Sequence, residues 1–225
     1  MAIYLNLRKA PEDVWVTGWV FLKAVCESSA DRSLTSIRSH TISSPSVQEN
    51  LETGRPNACN QCHLDKTLAW TGIQLKDWYG IEQPALTAEQ QTVAASVLWL
   101  LKGDAAQRAI MAWSYGWKEA RDASGTDWLP PYLSQLMVDP YATVRYIAWR
   151  SLRQDTVFEE VRYDHLAPLE DRKAKLRQSF EVWRQSPGSG PAKPEVLMRG
   201  PGQLDGETFR DLLIQRNDKP LFLNE

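Results

Sequence analysis

Cys59, Cys62 and His63 stand in one run of five residues, Cys59-Asn60-Gln61-Cys62-His63, which holds two of the chain's three cysteines and one of its three histidines. Two thiols at this spacing can each add to one vinyl group of the same porphyrin. A histidine directly after the second thiol can then swing under the iron. The run therefore has the pattern of covalent haem c attachment, with Cys59 and Cys62 as thioether donors and His63 as the proximal iron ligand. A second axial ligand would come from His40 or His165, or from the thioethers of Met111, Met137 or Met198. His40 is the candidate distal ligand, because it lies just before the motif in a segment that could fold back over the other haem face.

Other chemistries for these residues are weaker. Zinc accepts Cys and His in tetrahedral geometry, so Cys59, Cys62 and His63 with His40 or Cys26 would make a four-ligand site. Two adjacent residues, Cys62 and His63, would then both have to reach one ion, which is strained. A thioredoxin-like dithiol lacks the flanking strand and helix pattern. A motif that has lost its cofactor is a further alternative. The sequence has no Gly-rich phosphate loop, nucleophile elbow or H-E-x-x-H run, and its acidic residues follow the pattern of solvated helix faces. No catalytic residue is assigned, and a haem iron with both axial positions filled favours an electron carrier over an enzyme.

The elements that must position this motif come from a chain of 225 residues, 43% apolar and 24% charged, an ordinary composition for packed globular structure. A net charge of −2 with interspersed basic and acidic residues gives no electrostatic case for a nucleic-acid partner. Ten tryptophans are far more than usual and read first as a helical core of large flat side chains, and second as the lining of a planar ligand. No apolar run is long enough to span a bilayer. Val14 to Leu22 comes nearest to a signal-peptide core, but Glu12-Asp13 before it and Lys23 after it fit a short buried helix or strand better.

Residues 1–34 form an unassigned N-terminal segment, and residues 35–80 the haem c-binding segment. The stretch before the motif is Ser/Thr-rich and broken by Pro45, Gly54 and Pro56, so it is expected to be looped with one helical turn around Ser46 to Leu51. After His63, Leu64, Leu68 and Ile73 to Leu75 mark a helix ending near Gly80. Residues 81–156 read as helical repeats. Thr87 to Gln90 has capping-box form, and Val93, Val97, Leu100 and Leu101 continue one helix to Gly103. Asp104 caps the next, which runs to about Trp117, and Asp122 to Asp127 is a loop. A third helix begins near Pro130-Pro131, and Asp139-Pro140 opens a fourth. The last interval, 157–225, holds a charged helix from Leu166 to Gln185 with Leu176, Phe180 and Trp183 inward, a Pro/Gly/Ser turn, and a short helix from Asp205 to Asn217. The expected fold is all-α, a haem-motif loop segment followed by short antiparallel helix pairs.

Two stretches resemble known families. Asp139, Pro140, Val144, Arg145, Ala148 and Leu152 match in order the second helix of a HEAT repeat. The run from Gly54 to Trp70, with Pro56-Asn57-Ala58 before the first thiol and Asp65-Lys66 and Trp70 after the histidine, resembles bacterial multihaem c-type cytochromes that end in HEAT-like repeats. The resemblance covers Thr35 to Gln154, and Ser39-His40 with Ser44-Pro45 looks like that family's upstream segment. It implies covalent haem c, His40 as an axial ligand, electron transfer with a redox partner protein, attachment in the periplasm or otherwise outside the cytoplasm, and protein contacts through the repeats. Members carry several C-x-x-C-H motifs and this sequence has one, so it would correspond to the C-terminal part of a longer cytochrome. The alternative is a non-enzymatic helical-repeat interaction module with a vestigial or zinc-binding site.

Overall fold

The computed structural model describes residues 44–186 and 188–219. His40, Cys26 and the run from Val14 to Leu22 lie outside the described residues. The fold is all-α: eleven helices stand beside one two-stranded hairpin among the described residues. No helix among them is long and apolar enough to cross a membrane.

Local chemistry accounts for most helix ends. α1 (Val47–Thr53) starts where Ser46 Oγ accepts the Glu49 amide, and stops at Gly54, whose φ of 73° is open to glycine at no steric cost. α2 (Ala58–Cys62) is capped by Asn57 and α3 (Leu68–Tyr79) by Thr67, with Gly80 ending α3. The capping box at Thr87 and Gln90 opens α4 (Ala88–Thr92), and a second one, Asp104 with Gln107, opens α6 (Ala105–Ser114). α8 (Pro130–Leu136) has prolines in its first turn, where the missing N–H is harmless.

The single helix expected from Thr87 to Gly103 is two. Val93 is extended, and the chain restarts as α5 (Ala95–Leu101). Backbone pairing outside the helix wins here: the Ala94 amide donates to Glu195 O at 2.7 Å and the Ala95 amide to Lys66 O at 3.0 Å. α5 is buried on all sides, so no solvent-facing stripe marks it. The expected loop at Asp122 to Asp127 is likewise shorter, because α7 (Lys118–Ser124) forms there. Its Ala120 and Ser124 are buried, Lys118 pairs with Asp122, and Gly125 ends it.

α9 (Ala142–Leu152) begins two residues later than Pro140, with Tyr141 at the N-cap position but making no side-chain cap. Asp139 accepts the Tyr141 amide at 2.9 Å, but its main partner is Arg108 of α6, Nε to Oδ2 at 2.6 Å, with both side chains fully buried. α6 packs on α5 and α9, α8 on α9, and α10 (Leu169–Gln185) on α8. In α10, Trp183 is buried while Leu176 and Phe180 are half-covered. A hairpin of β1 (Met198–Gly200) and β2 (Gln203–Leu204) leads to α11 (Gly206–Ile214), which packs on α5.

One apolar core runs from Leu64 to Leu212. Its centre is aromatic: Tyr115, Trp128 and Tyr132 meet edge to face with centroids 5.4 to 6.3 Å apart, and Phe209 joins Tyr132 at 5.5 Å. Trp99, Trp128, Trp149 and Trp183 are buried in this core, as the first reading of the tryptophans expects. Met111, Met137 and Met198 also lie in it, so these thioethers serve packing; the Met137 sulfur also accepts from Ser179 Oγ at 3.8 Å.

Candidate functional site

Cys59, Asn60, Gln61 and Cys62 occupy most of α2, and His63 is its C-cap. The motif is thus a helical turn where a loop was expected. Positions i, i+3 and i+4 share a helix face, so this turn gathers Cys59, Cys62 and His63 on one side. The capping geometry explains the helix: Asn57 Oδ1 accepts the Asn60 amide at 3.0 Å, and the His63 amide closes back on Cys59 O at 2.8 Å.

Asn60 holds the turn in place. Its side chain is fully buried and uses all of its hydrogen-bonding capacity. Nδ2 donates to Lys66 O at 2.9 Å and Thr67 O at 3.3 Å, while Oδ1 accepts from Asn57 Nδ2 at 2.9 Å and Thr71 Oγ1 at 2.7 Å. Gln61 donates to Pro56 O at 2.8 Å. Ser124, at the end of α7, bridges the two residues flanking His63. Its Oγ donates to Cys62 O at 3.1 Å and accepts the Leu64 amide at 2.8 Å. Lys193 reaches in from the segment before the hairpin and donates to Ser124 O at 2.9 Å.

The two thiols differ. Cys59 is 8% exposed, and burial pushes its thiol up from 9.0 to about 11, so it is neutral at physiological pH. Cys62 and His63 are half-buried, and no disulfide joins the two cysteines. Burial also pushes the His63 imidazole below its ordinary value, against the pull of the Asp65 charge and with the push of Lys66. A neutral imidazole is the form that ligates metal. The His63 ring stands 5.0 Å from that of Trp70 on α3, tilted by 55°, giving the site one flat aromatic wall.

His165 goes elsewhere. Its ring lies 5.3 Å from Tyr146 of α9, and its carbonyl accepts from Arg145 Nε at 2.7 Å. The described residues contain no group of three or more His, Cys, Asp or Glu arranged to hold a metal ion. Cys59, Cys62 and His63 are among those residues and do not form such a group. Attachment of haem c asks for two thiols and one imidazole on a single turn rather than a tetrahedral shell, and α2 with its C-cap carries those three residues.

Asn60, Ser124 and Lys193 were not singled out by sequence pattern. Asn57 three residues before Asn60 is a capping spacing that could have marked the turn, whereas Ser124 and Lys193 meet it only through the tertiary fold. No protein-family model matches the chain, and neither a curated protein nor a solved structure does.

Proposed function

We propose that the chain binds one haem c at Cys59 and Cys62, with His63 as proximal ligand and His40 as distal ligand, and works in electron transfer. The observation that carries this reading is the pinned turn of α2, which sets two thiols and an imidazole on one face. Bound there, haem c supplies a one-electron couple. The protein's own contribution is to orient His63 through the Ser124 bridge on both of its neighbours, and to cover one side with Trp70. Such attachment takes place outside the cytoplasm, so the reading includes a periplasmic or otherwise extracytoplasmic location, and a redox partner protein. The chain would then be the C-terminal part of a multihaem cytochrome with HEAT-like repeats.

Expression with haem-maturation machinery and an export signal should give a Soret band and a pyridine haemochrome spectrum of haem c. Folded but colourless protein would sink the proposal. Replacing His40 should move the loaded protein toward a high-spin spectrum.

One observation favours a second reading, a helical-repeat interaction module with a vestigial motif. Cys59 is covered by protein alone and behaves as a small core side chain. On that reading Cys59→Ala with Cys62→Ala folds with little loss of stability and never colours.

A further inference from the structure

Asp65 uses only one of its two carboxylate oxygens. Its side chain is 13% exposed; Oδ2 pairs with Lys66 Nζ at 3.1 Å and lies 4.0 Å from Lys193 Nζ. Oδ1 is buried and has no hydrogen-bond partner among the described residues. A buried acceptor left unmade is costly, and a native fold keeps such an atom for a reason. Asp65 sits two residues past His63, inside the turn closed by the Lys66 amide on His63 O at 3.2 Å. Lys193, which faces Oδ2, also donates to the Ser124 carbonyl, so the carboxylate belongs to the same framework that fixes the backbone on both sides of His63.

A histidine that ligates a metal through one ring nitrogen almost always donates its other N–H to a carboxylate or carbonyl, which fixes the tautomer and raises ligand basicity. Asp65 Oδ1, two residues from His63, is an uncommitted buried acceptor of that kind. We infer that Asp65 is a positioning residue for His63: a rotation of the ring that the folded chain undergoes with or without haem brings the imidazole Nδ1–H onto Oδ1, leaving Nε2 for the iron. Coordination of iron by Nε2 rests on the proposed haem function; the hold of Asp65 on the imidazole does not. Lys66 and Lys193 serve this role by keeping Oδ2 occupied and the carboxylate charged and oriented.

The test uses the full chain as wild type, Asp65→Asn and Asp65→Glu, each with and without haem loading. In unloaded protein, nitrogen–proton correlation spectra of His63 above its titration range should show the Nδ1–H tautomer in wild type. That tautomer should shift toward Nε2–H in Asp65→Asn and be partly kept in Asp65→Glu. In loaded protein the midpoint potential should be higher in Asp65→Asn than in wild type, because a less basic imidazole stabilises the oxidised iron less. Thermal midpoints identify any variant that has simply unfolded; if Asp65→Asn unfolds, Asp65→Glu, which keeps the charge, carries the test. A tautomer unchanged by Asp65→Asn in folded protein overturns the inference whatever the haem content. A chain that never takes up haem yet shows the tautomer shift refutes the haem reading and leaves the role of Asp65 standing.

Discussion

Asn60 stands between the two thiols and contributes nothing to their chemistry, yet it does the most to shape the turn that carries them. All four hydrogen-bonding positions of its amide are filled in a fully buried site. Asn60→Ala strands the Thr71 hydroxyl and the Lys66 carbonyl, and should cost about 2–4 kcal/mol in urea unfolding. Asn60→Asp keeps the acceptor but loses both donors, and should be no better. Cys59 makes a pH prediction. Its folded value of about 11 lies above the ordinary 9.0, so the folded protein holds the proton more tightly. In the unloaded chain the associated stability is fully present below pH 9 and is lost as pH rises toward 11, on the order of 2–3 kcal/mol across that window. Tyr115 and Tyr163 are also raised by burial and add to the alkaline loss. The thiol's share is read as the part of the pH slope that disappears in Cys59→Ala. The grouping of the two thiols and His63 on one turn was legible in the sequence because all three lie within five consecutive residues. Asn60 was not, since a neutral amide at either middle position looks interchangeable until its partners are known.

Helix ends were legible where a side chain caps its own backbone. Thr87, Asp104, Gly80 and the prolines of α8 all act within a few residues, and each does what its spacing implies. The break at Val93 and Ala94 was not legible, because the groups that cause it are Glu195 and Lys66. Ala94→Pro tests this cause. Ala94 has φ −57° and Val93 is extended, so both dihedrals suit a proline, and the change mainly removes the N–H that meets Glu195. It should lower stability by about 1–3 kcal/mol without loss of helix content by circular dichroism. The connection between α8 and α9 hides a different cause. Asp139 has the form of a helix opener, but it is buried against Arg108, which also donates to Gly103 O at 2.7 Å and Asn217 O at 3.1 Å. Asp139→Leu alone removes the fully buried partner and leaves the Arg108 guanidinium with only the part-exposed Asp218 carboxylate at 3.4 Å, and should cost about 3–5 kcal/mol. Pairing it with Arg108→Met should recover much of that loss. A double variant as unstable as the single one would refute the ion-pair account.

At the scale of the whole molecule, the C-terminal segment closes the core. Val196, Leu197, Met198, Phe209 and Leu212 are all buried, Tyr132 donates its hydroxyl to Val196 O, and Trp183 donates to Asp127 O at 2.8 Å. Ending the chain at Ser186 removes those five side chains, each worth about 1.5–3 kcal/mol of burial, from a fold whose total stability is about 5–15 kcal/mol. The shortened chain should lose its cooperative urea transition. The hairpin that seats Met198 is too short to leave a strand pattern, and the core's aromatic centre is drawn from Tyr115, Trp128, Tyr132 and Phe209 on separate elements, so neither could be read from local periodicity. The Asn60 network has a consequence for how such sequences diverge. Its bonds engage Asn57, Lys66, Thr67 and Thr71 and no thiol or imidazole. Substitution of Cys59, Cys62 or His63 would leave the turn standing. In a lineage that abandoned the chemistry, the two asparagines and Thr71 would therefore be the last residues of the motif to drift.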